Sequence, residues 1–214
     1  MSNFDVNRRE FVVGGLVAGV LPLGAYAGAK EARAFGTGAP RRLHKLLVDR
    51  SIPESARLGT YAGFIADEAL FFDGDFTALW IRELKTQWAD GPKPIAGLTR
   101  PGVRMVLEQF GRDHGARIVF SAEHRRLGGT MRHKLMGCDT LLQSTDLRGA
   151  ADWVADMARH IAACPYERGL KAASLVYETS DPAKSLHSHS TLETWVMAST
   201  SRNDQRFNSE TVNS

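Results

Sequence analysis

Cysteine is scarce: two residues, Cys138 and Cys164, in a chain of 214. That excludes a thiolate-rich metal cluster and a small fold stapled by several disulfides. The chain has no GxxxxGK[ST] phosphate loop, no GxGxxG dinucleotide fingerprint, no CxxCH haem-attachment motif, no GxSxG nucleophile elbow and no internal repeat. Neither sign of charge dominates, since 27 Lys and Arg against 24 Asp and Glu leave a net +3. That balance is too mild to argue for nucleic acid, and no basic stripe interleaved with aromatics supports it. Long apolar runs are missing except for one near the N-terminus, VVGGLVAGVLPLGAYAGA at 12–29. It is rich in glycine and alanine, is interrupted by Pro22, and is short for a comfortable span of about 20 residues.

The residues before that run give it a meaning. Asn7-Arg8-Arg9-Glu10-Phe11-Val12-Val13 places two arginines, one intervening residue, a phenylalanine and two apolar residues ahead of a moderately hydrophobic segment. This resembles the twin-arginine (Tat) export signal, carried by Arg8, Arg9 and Phe11. Small residues at Ala25/Ala27, Ala27/Ala29 and Ala32/Ala34 offer cleavage sites. The resemblance covers residues 1–34. It implies a Tat translocase as partner and a periplasmic or otherwise exported protein, tethered to the membrane if the signal stays uncleaved. Tat substrates normally cross folded, which suits a chain that takes a cofactor or a larger partner before export. No membrane span is expected in the mature chain.

Beyond the signal, residues 35–198 read as one domain, long enough to bury a full core. Residues 35–42 read as a linker and the polar tail 199–214 as disordered. The pattern predicts a helix over 51–70 and a second over 76–88, where Phe76, Trp80, Leu84 and Trp88 recur every four residues. A short strand follows at 95–98, then a helix from Pro101 with Thr99 as its cap, closed by Gly115 in a left-handed conformation. A helix opened by Ser144 or Thr145 should run to 163, with Leu147, Ala150, Ala151, Val154, Met157, Ala158 and Ile161 on its apolar face. Strands are expected at 174–178 and 192–198. Adjacent strands of this kind argue for an α+β domain with a mainly antiparallel sheet of four or five strands and helices packed on one face.

The stretch with most to say is Arg117–Cys138. Gly128-Gly129 suits a tight hairpin turn, and counting outward from it pairs Leu127 with Thr130, Arg125 with Arg132, Glu123 with Lys134, His124 with His133 and Ala122 with Leu135. Ile118, Phe120, Ala122 and His124 then share a face with His133 and Leu135. Two imidazoles opposite one another can share a divalent metal or ligate haem, with His114 at the preceding helix end as a third ligand. Hydrogen-bonded histidines at a hairpin end are the plainer alternative. Met131, His133, Met136 and Cys138 form a run of soft ligands, but strand alternation splits them between faces. Cys138 and Cys164 could bridge in an oxidising compartment, closing a loop of about 26 residues worth on the order of 3.5 kcal/mol. His187 and His189 sit in a polar loop, where metal binding competes with simple solvation.

Three functional readings follow. The first is an exported, non-catalytic accessory subunit or export partner of a larger periplasmic enzyme, of redox type. The second is a metal- or haem-binding protein, or metalloenzyme, centred on the histidine pair. The third is a binder of a small apolar ligand in a groove near Trp80, Trp88 and Trp195.

Overall fold

In a computed structural model, the described residues are 42–127, 129–144, 148, 152–166, 170–180 and 191–199. The signal-like segment, the loop holding His187 and His189, and the tail after Ser199 lie outside them. The chain is α+β, as expected, but its sheet is larger and mixed. Seven strands among the described residues stand in the order β2-β1-β3-β7-β4-β5-β6. Strand β1 (Leu43–Asp49) runs parallel to β2 (Ala66–Phe72) and to β3 (Ile95–Thr99). The remaining pairs are antiparallel: β3 with β7 (Thr191–Ser199), β7 with β4 (Ala116–Leu127), β4 with β5 (Thr130–Cys138) and β5 with β6 (Ala172–Ser180).

The expected helix over 51–70 is replaced by α1 (Pro53–Gly59), α2 (Ala62–Ile65) and the edge strand β2. Its sequence, ADEALFF, is composed largely of helix formers. Parallel hydrogen bonding to β1 overrides that propensity. Strand β1 lies between two neighbours with both faces covered, so LHKLLVD carries no alternation that would announce it. Helix α3 is built from Thr77–Leu79, a π-helical stretch Trp80–Leu84, and Lys85–Gln87. Helix α4 (Pro101–Asp113) starts at Pro101 after an extended Arg100, and Thr99 is the last residue of β3 rather than its cap. Gly115 adopts φ 80°, the left-handed turn expected there.

Helices cover both faces, not one. On the first face Leu46, Val48, Ala96, Leu98, Phe120, Ala122 and Val196 pack against α1, α2, α5 (Asp139–Gln143) and α6 (Trp153–Ala163). On the second, Leu47, Ile95, Trp195 and Met197 pack against Phe76, Trp80, Leu84 and Trp88 of α3 and Leu107 of α4. The apolar stripe expected at 76–88 is therefore core. Trp80 stacks on Phe110 at 4.5 Å and meets Trp88 edge-on at 5.7 Å. Gly97 is required where β3 passes under Trp195: a β-carbon there would lie 3.0 Å from both Leu47 O and Trp195 Cζ2.

Two further expectations change. Helix α6 begins at Trp153, where the Asp152 side chain accepts from Val154 N at 3.0 Å, well after Ser144. Leu147, Ala150 and Ala151 lie outside the described residues. Ile118 leaves the face of Phe120, because the register against β7 slips between these two residues and leaves Val119 as a bulge. Ile118 consequently packs with Trp195 and Met197 on the second face.

Candidate functional site

The hairpin pairs as the count from the glycines predicts, with His124 opposite His133 and Glu123 opposite Lys134. The histidines are not at a solvated hairpin end. Both are fully buried, and Trp153 of α6 packs on their rings at centroid distances of 4.4 and 5.2 Å. Their Nδ1 atoms lie 2.7 Å apart, a hydrogen bond in which one ring's N–H donates to the other's lone pair. Each Nε2 meets a hydroxyl at 2.9 Å, that of Thr194 for His124 and that of Thr179 for His133. The rings must therefore hold opposite tautomers, and the four groups form one hydrogen-bonded chain across β7, β4, β5 and β6.

This geometry suits a shared proton better than a shared metal. Two imidazole nitrogens on a tetrahedral ion stand roughly 3.3 Å apart. Burial holds both rings neutral: desolvation depresses His133 to about 4, and desolvation followed by the nearby His133 depresses His124 well below its usual range. His114 does not join them. Its Nδ1 bonds Phe110 O at 2.9 Å and its ring lies against Trp80 and Trp88, on the opposite face. Among the described residues no group of three His, Cys, Asp or Glu could hold a metal.

The other predicted residues are likewise packed or apart. Met131 is buried and Met136 exposed, as alternation required. Cys138 and Cys164 are buried free thiols. Desolvation, then the nearby Cys138, pushes the Cys164 thiol well above its usual range. Trp80, Trp88 and Trp195 fill the second core, and Trp195 Nε1 donates to Thr99 Oγ1 at 3.0 Å, so the apolar-groove residues form a packed layer.

A site that the sequence did not announce lies where the parallel strands end. The connection from β1 to β2 runs over the first face and that from β2 to β3 over the second, so the chain reverses its winding between β1 and β3. Ligands of open sheets bind at such switch points, outside the carboxyl ends of the strands. Asp49 ends β1 there, with 0% of its surface exposed. Its Oδ1 accepts from Ser51 N at 2.9 Å, Ser51 Oγ at 2.6 Å and Gly74 N at 3.0 Å. Its Oδ2 has no hydrogen-bond partner among the described residues, and the nearest cation is Arg100 Nη1 at 3.8 Å. Arg100 follows β3, is over half exposed, and also reaches Ser51 Oγ at 3.4 Å. Gly74, at φ 76°, lets the loop after β2 close in: its β-carbon would lie 3.8 Å from Arg100.

Neither protein-family models, nor curated proteins, nor solved structures match this chain.

This crest, where β1 and β3 end, sets an exposed, always-charged guanidinium and an exposed serine hydroxyl over a buried carboxylate, beside the positive end of α4. Arg50 and Asp73 flank it, paired at 2.7 Å. The only sequence signal was Gly74 between two aspartates after an apolar run, which reads equally well as a turn.

Proposed function

We propose that the chain is an exported, non-catalytic binding protein that takes a small anionic ligand at the crest formed by the ends of β1 and β3. The observation that carries this reading is Arg100, exposed and poised at a winding switch point above a carboxylate oxygen that lacks a hydrogen-bond partner among the described residues. An Arg whose purpose was to neutralise Asp49 would be expected to make a direct hydrogen bond, not to stand at 3.8 Å. The Tat-like residues Arg8, Arg9 and Phe11 support the export part of the reading. Screening small anions by thermal shift tests the binding part. A ligand that raises the melting temperature of the wild-type chain should not do so for Arg100→Gln, which removes the exposed guanidinium and leaves the hydrogen bonds of Ser51 and Gly74 to Asp49 in place. Equal stabilisation of both would place the ligand elsewhere.

The accessory-subunit role is compatible with this and has its own support. The face of β4, β5 and β6 turned away from α6 carries the exposed apolar residues Met136 and Val176 beside Arg125, Arg132 and Lys134. If a larger exported enzyme docks there, Met136→Glu with Val176→Glu should abolish co-migration of the two proteins while leaving crest binding intact. Metal or haem ligation by His124, His133 and His114 is not carried forward, because the pair is closed on itself and the third residue faces the other way.

A further inference from the structure

The crest also specifies what kind of anion it can take, an inference that rests on the binding reading above. Arg100 Nη1 and Asp49 Oδ2 stand 3.8 Å apart without a direct hydrogen bond, the first a donor and the second an acceptor. An incoming group that bridges them must offer a negative oxygen to the guanidinium and a proton to the carboxylate. A fully ionised oxyanion satisfies only Arg100 and sets a bare lone pair against a buried negative charge. We infer that the ligand is an oxyanion that still carries a proton, of the hydrogen-phosphate type, either free or as the end group of a larger molecule.

The surrounding groups fit this class. Asp49 is already aimed by its neighbours, because Ser51 N, Ser51 Oγ and Gly74 N all hold Oδ1 and leave Oδ2 without a hydrogen-bond partner among the described residues. Asp49 Oδ2 is itself covered, so a ligand reaches it only once the long exposed side chain of Arg100 lifts, after which the guanidinium can clamp it in a bidentate contact. Arg50 and Asp73 neutralise each other across 2.7 Å, Arg100 offsets Asp49, and Asp75 beside Gly74 adds one exposed negative charge, so an anion is held by close contact with the guanidinium and the start of α4 rather than by net charge. A divalent cation fits less well, because the guanidinium stands where the ion's open coordination positions would be.

Discrimination between phosphate and sulfate tests the inference directly, since at pH 7 phosphate keeps at least one proton and sulfate has none. Calorimetric titration of the purified full-length chain should show phosphate binding at least tenfold more tightly than sulfate. Arg100→Gln should lose both anions while remaining folded, because the residue is exposed. Asp49→Asn should erase the preference by offering sulfate an amide donor. Should that variant not fold, the wild-type ratio and the Arg100→Gln result still decide the matter. Methyl phosphate compared with inorganic phosphate at pH 5.5, where both still carry a proton, separates the sources: tighter binding of methyl phosphate assigns the site to a phosphorylated molecule, weaker binding to the free anion. Sulfate binding as well as phosphate, or other ligands binding at the crest while phosphate does not, overturns the inference and leaves the binding reading standing. If no anion protects the crest, both fall.

Discussion

Acidification should destabilise the domain through His124 and His133, and the size of the effect can be worked from their geometry. One proton sits between the two Nδ1 atoms in the neutral pair. Adding a proton to the one Nε2 that lacks it keeps that bridge but charges a dry site under Trp153, while a further proton would set two N–H groups against each other at 2.7 Å. The unfolded chain has no such restriction and takes up a proton on each ring near pH 6.5. Folded-state values are depressed, to about 4 for His133 and also downward for His124. The stabilisation is therefore complete above pH 6.5 and is lost as pH falls from there towards 4. At pH 5 one excluded proton corresponds to about 2 kcal/mol, and the pair to roughly 2–4 kcal/mol. His160, also depressed chiefly by burial, acts in the same direction, so the pair must be isolated by difference. Urea unfolding of the wild type and of His124→Leu with His133→Leu, each at pH 7.5 and pH 5.0, provides it. The wild type should lose the stated amount more than the double variant. Equal losses in both would refute the reasoning, and with it the claim that the pair is held neutral by burial.

Three other outcomes follow from the packing and the signal. Trp80→Ala should cost on the order of 3–5 kcal/mol in chemical denaturation, since the ring is stacked on Phe110 and buried against Trp88; little or no loss would return the Trp-rich face to consideration as a groove. Gly97→Ala should cost about 1–3 kcal/mol, because its β-carbon meets a carbonyl of β1 and the Trp195 ring together; a neutral effect would mean the sheet flexes there. Arg8→Lys with Arg9→Lys should leave the protein in the cytoplasm by fractionation, and normal export would remove the basis for the Tat reading.

Local and long-range order were legible to different degrees. The hairpin could be counted residue by residue, because a two-residue loop fixes register and alternation does the rest. The Phe76–Trp88 stripe and the turn at Gly115 were legible for the same reason: each is specified within a few neighbouring residues. Strands β1 and β2 were not. ADEALFF favours helix on its own, and becomes a strand only because Glu68, Leu70 and Phe72 find partners on Lys45, Leu47 and Asp49. The bulge at Val119 was hidden in a run whose alternation looked regular. Nor did any pattern show that β7 would insert between β3 and β4 rather than pair with β6. The crest suffered from all of these at once. Asp49, Gly74 and Arg100 stand at or just past the ends of three different strands, and only the parallel pairing of β1 with β2 and β3 brings them together. The histidine pair was the reverse case, legible in position but not in burial, since the cover provided by Trp153 comes from a distant helix.

Anion binding at the crest is tested most directly by where a ligand touches the protein. A proton–nitrogen correlation titration with inorganic phosphate reads this residue by residue. The expected result is shifts that saturate together at the amides of Ser51, Gly74, Arg100 and Gly102, with the amides around His124 and His133 unmoved. Shifts centred on the histidine hairpin, or scattered over the basic surface without saturation, would contradict the placement of the binding site at the ends of β1 and β3.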